Sequence, residues 1–165
     1  MINFKIFYAN IFINIYVFGP NKNSFCPIII FRNSLIYTNI NNINNLAFLK
    51  GLKNLNELSI EHCNIRGIKY LGLLKKLHSL YLGYNKITEI KGLETLKNLK
   101  TLTLMDNQIT EIKGLKNLTE LEYLHLSNNQ ITEIKGLETL KKLNWVGQYA
   151  NKIKNKEFYR QGFIL

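Results

Sequence analysis

The stretch ITEIKGLETLKNLKTLTLMDNQ, residues 87–108, is a 22-residue unit that returns almost intact along the second half of the chain. Its first ten residues, ITEIKGLETL at 87–96, recur without a change at 131–140. Self-similarity at a fixed period of about 20 to 50 residues is typical of stacked repeats, in which each unit packs only against its neighbours. This period therefore predicts the fold before any single helix or strand is assigned.

The unit reads LxxLxLxxNxIxxIxxLxxLxx, and it is clearest from Leu99 onwards. Within LxxLxL the last two leucines alternate with polar residues, which is the period of a half-buried strand. The following IxxIxxLxxL has a period of three, which indicates short 3₁₀ or irregular turns rather than a long α-helix. We expect five full units over residues 43–152 and a half-unit before them, with Ile36 as a first strand residue.

These units predict an α/β-type repeat solenoid with short parallel strands on its concave face and 3₁₀ or irregular turns on its convex face. One short strand per unit can pair only with the strands of neighbouring units, at a spacing of roughly 4.8 Å. The leucines and isoleucines then fill one continuous core. We divide the chain into a non-repeat segment at 1–32, the solenoid at 33–152 and a C-terminal cap at 153–165.

An asparagine stands where the chain leaves most of the predicted strands, and a cysteine takes the same place once. The members of this ladder are Asn41, Cys63, Asn85, Asn107, Asn129 and Asn151. A buried amide has donors and an acceptor, so it can satisfy the backbone of its own bend and of the adjacent coil. We interpret the cysteine as a small buried group with a weak donor rather than as a reactive thiol. On the convex side, Gly92, Gly114 and Gly136 are expected to serve a tight turn.

The repeated pattern resembles the 22-residue class of leucine-rich repeats, which occurs in regulatory subunits of type 1 protein phosphatases and in the internalins of bacterial surfaces. The resemblance covers about residues 33–165, and it implies a scaffold rather than a particular chemistry. Asn151 and Ile153 followed by Tyr159-Arg160 resemble the cap of many phosphatase-regulatory repeats, although Lys152 stands where that motif has proline. The cap residues are predicted to be Phe158, Tyr159, Arg160, Phe163 and Ile164.

Residues 1–32 carry no repeat, and three interpretations of them stay open. Residues 6–18 are uncharged and mostly apolar, but Asn10 and Asn14 interrupt them and no small-residue cleavage site follows. The run is also shorter than the roughly 20 residues that a membrane-spanning helix needs. The segment is an apolar cap over the first coil, an ill-ordered segment, or a poor signal or anchor. We favour the first two, and hence a cytoplasmic protein, with a secreted or cell-surface protein as the alternative.

The net charge of +11 permits binding to nucleic acid or acidic membranes, but neither a zinc-finger spacing nor an aromatic-basic RNA-binding signature accompanies it. A solvated lysine-rich convex surface is the simpler interpretation. The two cysteines, Cys26 and Cys63, do not make a disulfide framework, and His62 has no second ligand pair nearby at metal-site spacing. We therefore expect no cofactor, no metal, no nucleic-acid partner and no membrane span.

Stacking at 22 residues places the residues between and just after the strand leucines in four rows on the concave face. The first row is Glu57, Ser79, Thr101, Tyr123 and Trp145, and the second is Ser59, Tyr81, Thr103, His125 and Gly147. The third is Glu61, Gly83, Met105, Ser127 and Tyr149, and the fourth is His62, Tyr84, Asp106, Asn128 and Ala150. Strands favour aromatic residues in any case, but tyrosine and tryptophan are frequent binding hot spots. The predicted partner-binding residues are Tyr81, Tyr84, Tyr123, His125, Trp145 and Tyr149.

Catalysis is the weaker hypothesis. His125 with Ser127 or Asp106 has residue types suited to acid–base or nucleophilic work, but no nucleophile turn, oxyanion arrangement or phosphate loop accompanies them. We predict a monomeric, non-catalytic scaffold that binds a partner protein on its concave face, in the manner of a regulatory subunit. The alternative is a secreted or surface-anchored adhesion module of the internalin type, and a basic nucleic-acid-binding module ranks third.

Overall fold

A computed structural model describes residues 52–154 with their side chains, together with the backbone of three strands at 13–18, 25–31 and 34–38. Eight strands of this part of the chain form one sheet, ordered as they occur in the sequence. They are β1 (Ile13–Phe18), β2 (Phe25–Phe31), β3 (Ser34–Thr38), β4 (Glu57–Glu61), β5 (Ser79–Tyr81), β6 (Thr101–Thr103), β7 (Tyr123–His125) and β8 (Trp145–Gly147). Strands β3 to β8 are parallel, which confirms the predicted solenoid.

The N-terminal part of the sheet differs from the expectation in two ways. First, β1 and β2 pair antiparallel with each other, and β2 pairs antiparallel with β3, in a segment where the repeat period indicated no strand. Both strands are rich in β-branched and aromatic residues, which favour strands without any repeat. Second, β3 pairs Leu35 with Leu58 and Ile36 with Ser59. Ile36 therefore lies in a strand, as expected, but its partner is one residue away from the one that a 22-residue spacing would give it.

The inward-facing residues of the described coils form a single core. Leu58, Leu80, Leu102 and Leu124 sit side by side on consecutive strands, and each is fully buried. Burying a leucine side chain contributes about 1.5–3 kcal/mol. Because the same positions recur in every coil, the core runs through all of them without interruption.

The turns on the convex side follow the predicted period of three. Backbone amides donate to the carbonyl three residues earlier, as from Leu96 to Leu93 and from Leu99 to Leu96, at 2.9 and 3.0 Å. One such stretch is regular enough to form a 3₁₀ helix, Leu71–Leu73. This is the hydrogen-bond pattern of 3₁₀ structure, so leucines spaced by three all turn inward.

The glycine turn appears in three coils and is replaced in a fourth. Gly92, Gly114 and Gly136 have φ values of 87°, 76° and 80°, a region that favours glycine. A Cβ at Gly114 would also lie 2.6 Å from the Ile90 carbonyl oxygen of the preceding coil. Tyr70 stands at the same phase with φ −84°, and the 3₁₀ helix follows it. Tyr70 needs no left-handed backbone, because its coil turns through the 3₁₀ helix instead.

Candidate functional site

The register of β4 to β8 aligns the first two concave rows as the repeat predicts. Glu57, Ser79, Thr101, Tyr123 and Trp145 are consecutive partners across the sheet. Ser59, Tyr81, Thr103, His125 and Gly147 are the second set of consecutive partners. Each of the strands β4 to β8 therefore contributes two positions to the face.

The third and fourth rows lie at the ends of the strands or just beyond them, where backbone hydrogen bonds between coils continue. The amide of Tyr84 donates to Met105 O at 3.0 Å, and that of Asp106 donates to Ser127 O at 3.0 Å. The fourth-row residues all adopt a left-handed backbone, with φ values between 52° and 56°. These residues are His62, Tyr84, Asp106, Asn128 and Ala150. This bend ends each strand and directs the next side chain into the interior.

The asparagine that follows each bend bonds the backbone of two coils. Asn107 Nδ2 lies 2.9 Å from Leu82 O in the preceding coil and 3.1 Å from Leu104 O in its own coil. Its Oδ1 accepts from the amide of Ile87 at 2.9 Å. Asn85, Asn129 and Asn151 make the equivalent bonds. Each amide thus joins consecutive coils at the base of the concave face, so the rows above it have a fixed spacing.

Cys63 occupies the same place with different chemistry. Its buried thiol donates to Glu61 O at 3.0 Å, and its backbone amide donates to Asn85 Oδ1 at 3.0 Å. A single weak donor replaces the two amide hydrogens of asparagine. Asn41, which completes the predicted ladder, lies outside the described residues.

Tyr123, His125 and Trp145 form one aromatic cluster on β7 and β8. The rings of Tyr123 and Trp145 are stacked, with centroids 4.1 Å apart and an interplanar angle of 3°. The imidazole of His125 meets the Trp145 ring edge-on at 5.1 Å and 85°. Such pairs contribute about 0.5–1.5 kcal/mol beyond the area they bury. The three side chains therefore hold one another in place on an open face.

Gly147 is a site residue that sequence reasoning did not assign a role. It stands in the second row beside His125, two residues after Trp145. A Cβ built on it would lie 2.2 Å from Trp145 Cη2 and 2.6 Å from His125 Cδ2. The indole therefore lies across the space that a side chain would fill. A glycine within a strand often marks such a close approach. The glycine at this position was therefore the one feature of the sequence that could have indicated the contact.

The electrostatic setting of the cluster keeps its titratable groups neutral. Burial lowers the pKa of His125, and the nearby carboxylate of Asp106 opposes that shift in part. His125 Nε2 lies 3.1 Å from the hydroxyl of Ser127, which restrains the ring. Burial raises the pKa of Tyr123, and Tyr81 adds to the increase. The site therefore presents aromatic surface and neutral hydrogen-bonding groups at neutral pH.

The remaining predicted binding residues do not belong to this cluster. His62 and Tyr84 stack separately, with centroids 4.2 Å apart and an interplanar angle of 9°. Tyr81 lies on β5, which β6 separates from β7, and Tyr149 is 82% exposed just after β8. The predicted cap residues, Phe158, Tyr159, Arg160, Phe163 and Ile164, lie outside the described residues.

Charge is distributed unevenly between the concave face and the rest of the chain. The four concave rows contain three carboxylates, Glu57, Glu61 and Asp106, and neither lysine nor arginine, although the chain carries a net charge of +11. On the convex side acidic and basic groups occur together. Lys135 pairs with Glu133 at 2.8 Å and Lys113 pairs with Glu111. The concave rows are therefore the acidic part of a basic protein.

Neither a metal centre nor a membrane helix is found in the part of the chain that the structure describes. No three histidine, cysteine, aspartate or glutamate side chains there come together as metal ligands. No helix among those residues has the length and apolar character that crossing a bilayer requires.

Comparisons with known proteins identify the repeats. A family model described as Leucine Rich repeats (2 copies) matches residues 75–117, and one described as Leucine Rich Repeat matches residues 120–143. No curated protein sequence matches the chain significantly. The solved structures do contain similar chains.

An internalin of Listeria monocytogenes, InlF, is 34% identical over 72% of this chain, with a TM-score of 0.64. A leucine-rich repeat protein of Leptospira interrogans is 32% identical over 73% of this chain, with a TM-score of 0.67. Internalin C2 of Listeria monocytogenes is 25% identical over 78% of this chain and 69% of its own, with a TM-score of 0.66. The chain spans only about a third of the first two proteins, 34% and 32% of their lengths.

Proposed function

This chain is a leucine-rich repeat protein, and from that premise we propose that it is a non-catalytic scaffold whose concave face binds a partner protein. The observation that carries the proposal is the cluster of Tyr123, His125 and Trp145 on β7 and β8. Aromatic residues of this kind are the commonest hot spots of protein interfaces. Nothing in the stacking of coils requires them, since Thr101 and Thr103 occupy the same rows one strand away.

The cluster is also organised in advance of binding. The stack on Tyr123 and the edge contact with His125 restrain the Trp145 ring, and the absence of a side chain at Gly147 leaves room for it. A side chain that is already ordered loses less entropy when a partner arrives. The interface therefore centres on Trp145, with Tyr149 at its exposed edge.

The test uses a photoreactive phenylalanine in place of Tyr149, which is 82% exposed, so the substitution should leave the core intact. Crosslinking from this position captures the partner, and the same amino acid in place of Leu73, 45% exposed on the convex side, is the matched control. The captured partner is then purified and its affinity measured through the fluorescence of Trp145, the only tryptophan of the chain. We expect capture from position 149 alone, and equal capture from both positions would overturn the proposal.

A second variant tests whether binding depends on the position of the Trp145 ring, without removing the ring. Gly147→Ala keeps every aromatic residue but places a methyl group where the indole lies, 2.2 Å from Trp145 Cη2. The ring must move, so we expect the affinity for the captured partner to fall at least several-fold while the fold is kept. Unchanged affinity would show that the partner does not bind at this cluster.

The cellular location of the scaffold is a separate part of the proposal. We place it in the cytoplasm, as a module that acts on its partner in the manner of a regulatory subunit. The second candidate, favoured by the similarity to the two Listeria internalins, is an adhesion module at the cell surface. Fusing residues 1–32 to a reporter enzyme and fractionating the cells distinguishes them, because export of the reporter would favour the surface protein.

A further inference from the structure

We propose that the segment bound on the concave face is an extended polypeptide rich in arginine or lysine. This inference rests on the proposed function, because it names the chemistry of the partner at the same site. It follows from the charge of the four concave rows, from the ring surfaces at their C-terminal end and from the distances between them.

The charge distribution is the first argument. A chain with 22 lysines and arginines and 11 aspartates and glutamates presents none of the basic residues and three of the acidic ones in the concave rows. Lys100, which immediately precedes β6, pairs with Glu122 at 3.2 Å, so its charge is balanced locally. Complementary charge steers a partner and determines which partner fits. The face therefore favours a cationic segment over an anionic one.

The carboxylates are held in place by the backbone and by neighbouring polar groups. Asp106 has the left-handed backbone of the fourth row, and its Oδ2 accepts from Asn128 Nδ2 at 3.2 Å. Glu61 lies at the end of β4, and its Oε1 would be 3.0 Å from a Cβ built on Gly83. The missing side chain of Gly83 leaves this carboxylate space over the third row. Both acids are therefore positioned on the face rather than spread into solvent.

The aromatic cluster supplies the second argument. A guanidinium or ammonium group within about 6 Å of a tyrosine or tryptophan ring is attracted to its π face. Tyr123 and Trp145 cover one face of each other, so a cation would approach the opposite face of either ring. Because burial lowers the pKa of His125, the imidazole carries no positive charge at neutral pH and does not repel a cation.

The dimensions of the face indicate how the segment lies. Strands are spaced by roughly 4.8 Å, so β4 and β8 are about 19 Å apart, which an extended peptide spans with about six residues. Asp106 follows β6, halfway between the carboxylates of β4 and the rings of β8. A peptide that crosses the strands with a cationic side chain at alternate residues would meet the carboxylates first and the rings last. Phosphate groups along the same path would meet like charge, which disfavours a nucleic acid.

The experiment titrates the full chain with a short peptide of alternating arginine and glycine, and follows the fluorescence of Trp145. The same peptide with glutamate in place of arginine, and a single-stranded oligonucleotide, are titrated in parallel. We expect saturable binding of the arginine peptide alone, weakened as the salt concentration rises because exposed ion pairs are screened. Binding of the glutamate peptide or the oligonucleotide with equal or higher affinity would overturn the inference.

Two triple variants distinguish the effect of the concave carboxylates on peptide binding from the effect of the net charge of the protein. Glu57→Gln/Glu61→Gln/Asp106→Asn removes the concave carboxylates, and Glu89→Gln/Glu111→Gln/Glu133→Gln removes three from the convex side. Both make the same change in net charge. One exposed ion pair contributes about twofold in affinity, so the concave variant should bind the arginine peptide about tenfold more weakly than the convex one. Equal affinities would show that the peptide senses only the overall charge, against the inference.

A single variant covers the case in which the concave triple variant does not fold. Asp106→Asn keeps the left-handed backbone, which asparagine adopts readily, and it should weaken the arginine peptide about twofold. The failure of this inference is distinguishable from that of the proposed function. If the arginine peptide does not bind but the partner captured from position 149 still loses affinity in Gly147→Ala, the cationic partner is excluded and the concave interface stands.

Discussion

Asp106 and Asn107 are neighbours in the chain, yet they belong to two parts of the molecule under opposite demands. The asparagine recurs at 85, 129 and 151, and each of these amides makes the same bonds between coils. The position before it keeps the same backbone, with φ between 52° and 56°, but its side chain is different in every described coil. Bonds between coils therefore determine the residue type at the buried position, whereas the left-handed position before it accepts different side chains. Changes in the ladder should affect stability, and changes one residue away should affect binding.

Asn107→Leu tests the ladder and should have the largest effect. The substitution leaves the buried amide of Ile87 without its acceptor, whereas the carbonyls of Leu82 and Leu104 keep the bonds from Asn85 and Asn129. An unsatisfied buried polar group costs about 1–3 kcal/mol, and we expect a loss of unfolding free energy in that range. Urea denaturation measures it. Asp106→Asn is the matched control, and a control as unstable as Asn107→Leu would contradict the division between the two positions.

Tyr123→Ala tests the concave side of the comparison. The variant removes the stack on Trp145 and the edge contact with His125. Because an aromatic pair contributes about 0.5–1.5 kcal/mol, the loss of unfolding free energy should not exceed that of the ladder variant. The affinity for the captured partner should fall at least tenfold. A ladder-sized loss of stability with unchanged affinity would assign the cluster to the fold instead of to the interface.

Ala150→Gly tests whether the left-handed backbone of the fourth row lowers the stability of the protein. Ala150 has φ 54°, which costs an L-residue with a Cβ about 1–2 kcal/mol. Glycine removes that strain but loses more entropy on folding, by roughly 0.5–1 kcal/mol. We therefore expect a small net gain of about 0.5–1 kcal/mol in thermal denaturation. Asn128→Gly, at a residue type that tolerates this backbone, should gain less.

The repeat made most of the fold predictable, because a period of 22 residues leaves few ways to bury the leucines. The parallel strands, the 3₁₀ turns and the stacking of the concave rows all follow from it. The period did not predict the N-terminal part of the sheet. Strands β1 and β2 have no repeat, and Leu35 pairs with Leu58 at a spacing of 23 residues rather than 22. A periodic pattern contains no information about strands outside it or about a single added residue.

The candidate site was predictable as a set of rows but not as a cluster. Stacking arithmetic placed Tyr123 beside Trp145 and His125 beside Gly147. It did not indicate that the indole leans across Gly147 to reach the imidazole, since that depends on rotamers and on the space that glycine leaves. The predicted rows already contained three acidic and no basic residues, but the net charge of +11 drew attention only to the basic character of the chain.

The smallest effect is a pH dependence that arises from His125. Burial holds its pKa in the folded protein below the ordinary value near 6.5. Below that value the unfolded chain takes up a proton more readily than the folded chain, so this contribution to stability is present above about pH 6.5 and is lost as the pH falls. The depressed carboxylates, such as Glu111 and Glu120, act only below their ordinary value of 4.5. Melting curves between pH 7.5 and about pH 5 therefore report on histidines, and comparison with His125→Gln assigns the part that comes from His125.

His125→Gln should flatten the pH dependence in this window while it keeps a polar group beside Ser127. The proposed partner gives the experiment a second readout. A cationic segment bound near the ring should lower the pKa of His125 further, because like charges disfavour protonation. Titration of the imidazole by NMR, with and without the arginine peptide, measures this shift. A pKa that rises on binding would place an acidic group of the ligand beside the imidazole, and the concave face would then recognise the opposite charge.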